Sequence, residues 1–170
     1  MSIAKLEYKW NVLIVGALGI LTVALDEGTV RIILPDLSIE FGAREDDVIW
    51  VWLIALLVSA GLVLTVGRIG DAFGRKRIYV IGLTLFTIGL GAAAVMPGLG
   101  SLIAVRGVQA VGSAMTLSMV MAIVTAAFPP SERGRAIGIM GIFISLGLLG
   151  GPAAGGALLD WLGWRSVFYA

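Results

Sequence analysis

Two stretches place charged or polar side chains inside runs that are otherwise apolar, and a third is unusually rich in glycine. Leu25–Pro35 reads L-D-E-G-T-V-R-I-I-L-P and carries Asp26, Glu27 and Arg31. Leu102–Ala114 reads L-I-A-V-R-G-V-Q-A-V-G-S-A and carries Arg106, with Gln109 one turn further on. Gly147–Gly156 reads G-L-L-G-G-P-A-A-G-G and carries no polar side chain. An ionisable group inside a membrane-spanning helix costs several kcal/mol and marks a functional site by default. The 170 residues contain no histidine and no cysteine. That removes the usual general base, the thiolate nucleophile, the disulfide and the common metal ligands. Proton chemistry therefore falls on carboxylates. No pair of carboxylates is placed for enzymatic acid–base work, so no enzyme, no metal and no cofactor are expected.

At about 100° per residue, Gly19, Thr22, Asp26 and Thr29 fall on one stripe, read as a cavity-facing face with Asp26 at its centre. Glu27 and Arg31 stand at i and i+4, acid first, the favourable order for an ion pair. They lie roughly 100–140° around the helix from Asp26 and are expected to pair with each other structurally. Asp26 has no partner on its own helix and is the expected protonatable carboxylate. Arg106 is the second buried charge; the bland alternative for it is snorkelling to a nearby interface. In the third stretch Gly147, Gly151 and Gly155 form a slowly drifting stripe without side chains, which lets another helix backbone come close. Pro152 lacks an N–H, so the Leu148 carbonyl loses its helical partner.

The elements that must hold these groups follow from composition. The chain is 59% hydrophobic and 14% charged, with a mean hydropathy of +1.02. A soluble domain of this size needs more charge to cover its surface. The reading is an all-α polytopic membrane protein. The apolar runs place helices at about 11–34, 48–66, 78–96, 101–128 and 136–159, with a stub at 165–170 that starts a sixth. Pro35 ends the first, and Asp36–Asp47 is an acidic loop. Gly67–Arg77 is a basic glycine-rich turn, and Ser131 caps the fifth helix. Trp10 with Tyr8, and Trp50 with Trp52, read as interface belts. A net charge of +1 offers no case for nucleic acid.

One side of the membrane collects Lys5, Lys9, Arg68, Arg75, Lys76, Arg77, Arg133 and Arg135, and the other only Arg44 and Arg165. The positive-inside rule then puts the N-terminus in the cytoplasm, in an inner (plasma) membrane. By helical rise, Asp26, Arg106 and Pro152 lie roughly 10–13 Å below the outer ends of their helices, in one layer.

Four motifs resemble those of the major facilitator superfamily. Gly67–Arg77, G-R-I-G-D-A-F-G-R-K-R, is similar to its loop signature between the second and third helices, with Gly67, Asp71, Gly74, Arg75 and Lys76 in register. The resemblance implies a cytoplasmic latch that acts in conformational switching. Gly147, Gly151, Pro152, Gly155 and Gly156 match the antiporter signature of the fifth helix in drug:proton antiporters. Leu25, Asp26, Leu34 and Pro35 match the first-helix signature of the fourteen-helix type, with Gly28, Arg31 and Ile33 departing from it. Leu102, Arg106, Gln109 and Gly112 match the fourth-helix signature, in which the arginine is linked to proton transfer.

The resemblance implies helices 1–5 and the start of helix 6 of a major facilitator fold. It also implies proton-coupled efflux of small amphipathic compounds, with Asp26 and Arg106 coupling protons and Glu27, Arg31 and Gln109 as accessory polar groups. Such a fold needs two repeated halves with the site between them, so the chain reads as a truncated one. The expected partners are a small-molecule substrate, the bilayer, and either a C-terminal half or further copies. A half-length assembly protein and a lipid or small-metabolite carrier are the alternatives.

Overall fold

A computed structural model describes residues 3–168. In chain order the helices are α1 (Ile3–Phe41), α2 (Glu45–Val48, a single turn), α3 (Trp50–Phe73), α4 (Arg75–Ala94), α5 (Leu99–Ala127) and α6 (Arg133–Leu162). Short 3-10 turns cover Pro130–Glu132 and Trp164–Phe168. Among the described residues, five helical segments are long and apolar enough to cross a membrane.

The helices outrun the apolar stretches that announce them. A hydropathy pattern measures the hydrocarbon crossing, about 20 residues, whereas a helix ends only where its hydrogen bonds find another partner. Pro35 does not end α1. It removes one N–H on an exposed face, and the helix runs on to Phe41. Gly42 stops it at φ +57°, with the Ala43 N–H donating to the Ser38 carbonyl in a Schellman closure. The acidic segment 36–47 is thus largely helical and not a loop. In the same way the basic turn shrinks to one residue. α3 continues through Gly67 to Phe73, Gly74 turns the chain at φ +98°, and α4 begins at Arg75. Ser131 lies inside a 3-10 turn, and no side chain caps α6. Residues 165–168 belong to a 3-10 turn; 169–170 lie outside the described residues.

α5 is the central helix, touching α1, α3, α4 and α6. The most extensive interfaces are α1 with α6, α4 with α5 and α3 with α5. Two apolar clusters form. One holds Leu13, Ile20, Tyr79, Met119, Val124 and Met140. The other holds Val30, Ile33, Val51, Leu102, Trp164 and Phe168. Along α1 and α5, Asp26, Arg106 and Gln109 fall in sequence between these clusters, so the charged layer is sealed above and below by packed side chains.

Candidate functional site

α1 supplies Asp26, and α5 supplies Arg106 and Gln109. The Arg106 residue is 1% exposed and the Asp26 side chain 8%. Arg106 Nη1 donates to both Asp26 oxygens, at 2.9 and 2.8 Å, and to Gln109 Oε1 at 2.7 Å. Gln109 Nε2 lies 3.4 Å from Asp26 Oδ2, and Arg106 Nε reaches the Val51 carbonyl of α3 at 3.4 Å. Two buried charges are tolerable together because each satisfies the other and Gln109 bridges them. Arg106 Nη2 is buried and has no partner among the described residues, so both of its N–H groups are free. The Phe168 ring lies 6.0 Å from its carbon.

Glycines decide how close the helices come. In α6, a Cβ on Gly147 would lie 2.5 Å from Ala24 Cβ, and one on Gly151 would lie 2.7 Å from the Leu25 carbonyl oxygen. One on Gly155 would overlap the Thr29 side chain. The glycine stripe therefore packs against α1 on the turns that flank Asp26. Pro152 and the Leu148 carbonyl that it frees lie against Gly28. Gly156 meets nothing within 4 Å and stands outside the seam. Thr29, expected on the cavity-facing stripe, is buried in this seam, where Thr29 Oγ1 donates to the Leu25 and Gly151 carbonyls at 2.7 and 3.1 Å. Gly19 faces Tyr79 of α4. The expected cavity-facing stripe is therefore divided: Gly19 faces α4, Thr22 is exposed, Asp26 meets α5 and Thr29 lies in the α6 seam.

The expected Glu27–Arg31 ion pair does not form; no contact within 4 Å joins them. The Arg31 guanidinium stacks on Trp52 of α3, 4.6 Å from the ring centroid. Stacking on an indole is worth about 0.5–2 kcal/mol, against about 0.2–0.5 for an i, i+4 pair, so the ring wins. Trp52 is thus half-buried beside α1.

At the other end of the bundle, Asp71 and Arg75 pair at 2.9 Å across the Gly74 corner. Arg75 Nη1 also donates to the Ala122 carbonyl of α5 at 3.0 Å, tying the corner to the central helix. Gly67 faces Ser118, and Lys76 borders a cavity between α1, α4 and α5. Lys9 pairs with Glu132 while almost fully buried, and the Trp10 ring meets Phe128 edge-on at 5.8 Å.

Two residues that serve the site escape a motif reading. Gly89 gives Gln109 its room, since a Cβ there would lie 2.6 Å from Gln109 Cβ. The signal was present: Gly82, Phe86, Gly89 and Ala93 recur at helical spacing in α4, and all four are buried. Val51 contributes only a carbonyl, which no side-chain pattern announces.

Two buried opposite charges thus sit on adjacent helices, beside a glycine seam in a bundle of membrane-spanning length. The Major Facilitator Superfamily model matches residues 16–170, and the chain belongs to that family. It is 35% identical over 163 residues to the riboflavin transporter RibZ of Clostridioides difficile, covering 96% of this chain and 36% of RibZ. The multidrug resistance protein Stp of Mycobacterium tuberculosis is 39% identical over 158 residues, covering 92% of this chain and 29% of Stp. The methyl viologen resistance protein SmvA of Salmonella typhimurium is 36% identical over 161 residues, with 94% and 32% covered. The chain spans about a third of the length of these curated relatives. It is a multi-pass membrane protein.

Proposed function

We propose that the chain forms the N-terminal part of a proton-coupled exporter of small amphipathic compounds, with its N-terminus in the cytoplasm. The observation that carries this reading is the buried Asp26–Arg106–Gln109 constellation. Protonation of Asp26 removes the negative charge that Arg106 Nη1 faces, and Arg106 keeps its bonds to Gln109 and to the Val51 carbonyl. The proton thus weakens the tie between α1 and α5 and leaves the buried Arg106 charge with neutral acceptors only, a costly state that favours rearrangement. Because α1 also packs on α6 through the glycine seam, a loosened α1 can shift against a smooth helix face. The Gly74 corner with Asp71 and Arg75 is the proposed cytoplasmic latch. The exposed Leu56, Leu57 and Leu64 of α3 and Leu146 and Leu149 of α6 are the surfaces available to lipid, to a second half or to another copy.

The test is proton flux in liposomes, with and without a lipophilic cationic drug, for the chain and for its Asp26→Asn variant. Drug-stimulated flux that disappears in the variant supports the reading. Flux that persists in Asp26→Asn overturns the role of Asp26. The name of RibZ favours a second reading, a carrier of a small metabolite; flux stimulated by riboflavin and not by cationic drugs would select it.

A further inference from the structure

Tyr79 is buried in the second turn of α4 and takes no part in the charged layer. Its hydroxyl donates to the Val15 carbonyl at 3.1 Å, the one hydrogen bond between α1 and α4 among the described residues. The hydroxyl sits in a notch that only glycine leaves open, since a Cβ on Gly19 would overlap it. A hydrogen-bonded side chain lodged in a notch opposes both sliding and rotation of the helix that carries the notch. Beside it, α1 and α4 part around a cavity of about 300 Å³ that Asn11 and Lys76 border, so broad packing does not duplicate that restraint. The glycines of the α6 seam meet α1 atoms alone, so the seam orients α1 against α6 and does not by itself aim Asp26 at α5. Gly19 and Asp26 are seven residues apart, about 20° short of two full turns and about 10 Å along the axis. Tyr79 and Arg106 therefore grip one face of α1 at two levels. They also grip it from one platform. A Cβ on Gly112 of α5 would lie 2.5 Å from Phe86 N of α4, and one on Gly82 of α4 would lie 3.0 Å from Thr116 N of α5, so α4 and α5 meet backbone to backbone. The two grips differ in chemistry. The Arg106 grip depends on the charge of Asp26, whereas the Tyr79 grip joins two neutral groups and is indifferent to it.

We propose that Tyr79 is a positioning residue for the proton reaction: lodged against Gly19, it keeps α1 in rotational register while the Asp26–Arg106 bond is broken, so that the carboxylate returns to the same guanidinium. This rests on the reading of Asp26 as the proton carrier and adds a residue to that site. The register matters because a turn of about 30° carries a side chain at the helix surface, about 5–6 Å from the axis, roughly 3 Å aside. That displacement takes a carboxylate out of hydrogen-bond range.

The test is a pair of spin-label distances in the detergent-purified chain, read by pulsed electron–electron resonance. The chain has no cysteine, so labels enter without background. Leu18→Cys with Ile88→Cys spans α1 and α4, and Leu64→Cys with Ile88→Cys stays within α3 and α4; all three sites are exposed. Asp26→Asn stands for the protonated acid. Asp26→Asn alone and Tyr79→Leu alone should each leave the Leu18–Ile88 distance close to its original value, because one grip remains. Together they should shift or spread it by roughly 3 Å. Tyr79→Phe, which keeps the ring against Gly19 and loses only the hydroxyl, should spread it less in the same background. The Leu64–Ile88 distance should hold in every variant. A shift in Asp26→Asn alone as large as in the double variant overturns the proposal. So does a double variant that matches the single ones, and so does an equal change between Leu64 and Ile88, which would report general loosening. No proton moves in this assay. The expected pattern without drug-stimulated flux would leave the key standing and remove the antiport reading, whereas flux that depends on Asp26 without the pattern would remove the key alone.

Discussion

Gly151→Ala places a methyl group where α6 meets α1. Its Cβ would lie 2.7 Å from the Leu25 carbonyl oxygen and 3.0 Å from both Gly28 Cα and Thr29 N. All three are backbone atoms, so no rotamer change relieves the overlap. Ordinary contact begins at 3.4 Å, so the two helices must separate by about 0.7 Å, a gap that forfeits roughly a quarter to a half of the dispersion along the seam. The Thr29–Gly151 hydrogen bond, 3.1 Å long, would stretch out of range, a loss of about 1 kcal/mol. Thr29 keeps its bond to Leu25, so no group is stranded. The expected destabilisation is about 1–3 kcal/mol. Gly156→Ala is the control within the same signature. It meets nothing within 4 Å and should stabilise α6 by up to about 1 kcal/mol through helix propensity. Unfolding of the purified chain by SDS in mixed micelles, followed by circular dichroism, reads both. Equal shifts for the two variants would refute the assignment of the seam to Gly147, Gly151 and Gly155.

Arg106→Met leaves the Asp26 carboxylate buried without its cation and should cost about 3–5 kcal/mol; adding Asp26→Asn should restore much of that, which the same unfolding titration measures. Gly74→Ala forces φ +98° on a residue with a Cβ and should cost about 1–2 kcal/mol, read as a lower melting temperature. Asp71→Asn removes only an exposed pair and should change stability by less than about 1 kcal/mol. Arg75→Ala also removes the bond to the Ala122 carbonyl, so it should cost measurably more than Asp71→Asn in the same melting experiment.

What could be read from the chain alone was local in its physics. Apolar length announces a span because hydrocarbon thickness is fixed. A buried charge announces a site because hydrocarbon does not solvate it, so it must find a partner or a wet cavity. Asp26, Arg106, Gln109 and the glycine stripe were therefore legible, and helical rise put the two charges at similar depth. Depth does not determine facing. Each residue turns the helix by about 100°, so the axial rotation of α1 decides whether Thr29 meets a cavity or Gly151. Only the packed bundle decides that rotation.

The fate of Arg31 shows the same division. Spacing offered it Glu27, four residues away on its own helix. The partner it takes is Trp52, 21 positions along the chain on α3, which no periodicity connects to it. Gly89 and the Val51 carbonyl were hidden for a related reason. Their contribution is space and a backbone acceptor, and neither exists until α3 and α4 are laid against α5. The sequence by itself determined a helical membrane protein with a buried acid, a buried base and a smooth glycine face. The tertiary structure decided which of these meet, because contacts between helices depend on rotation and register that the energy of the whole bundle selects.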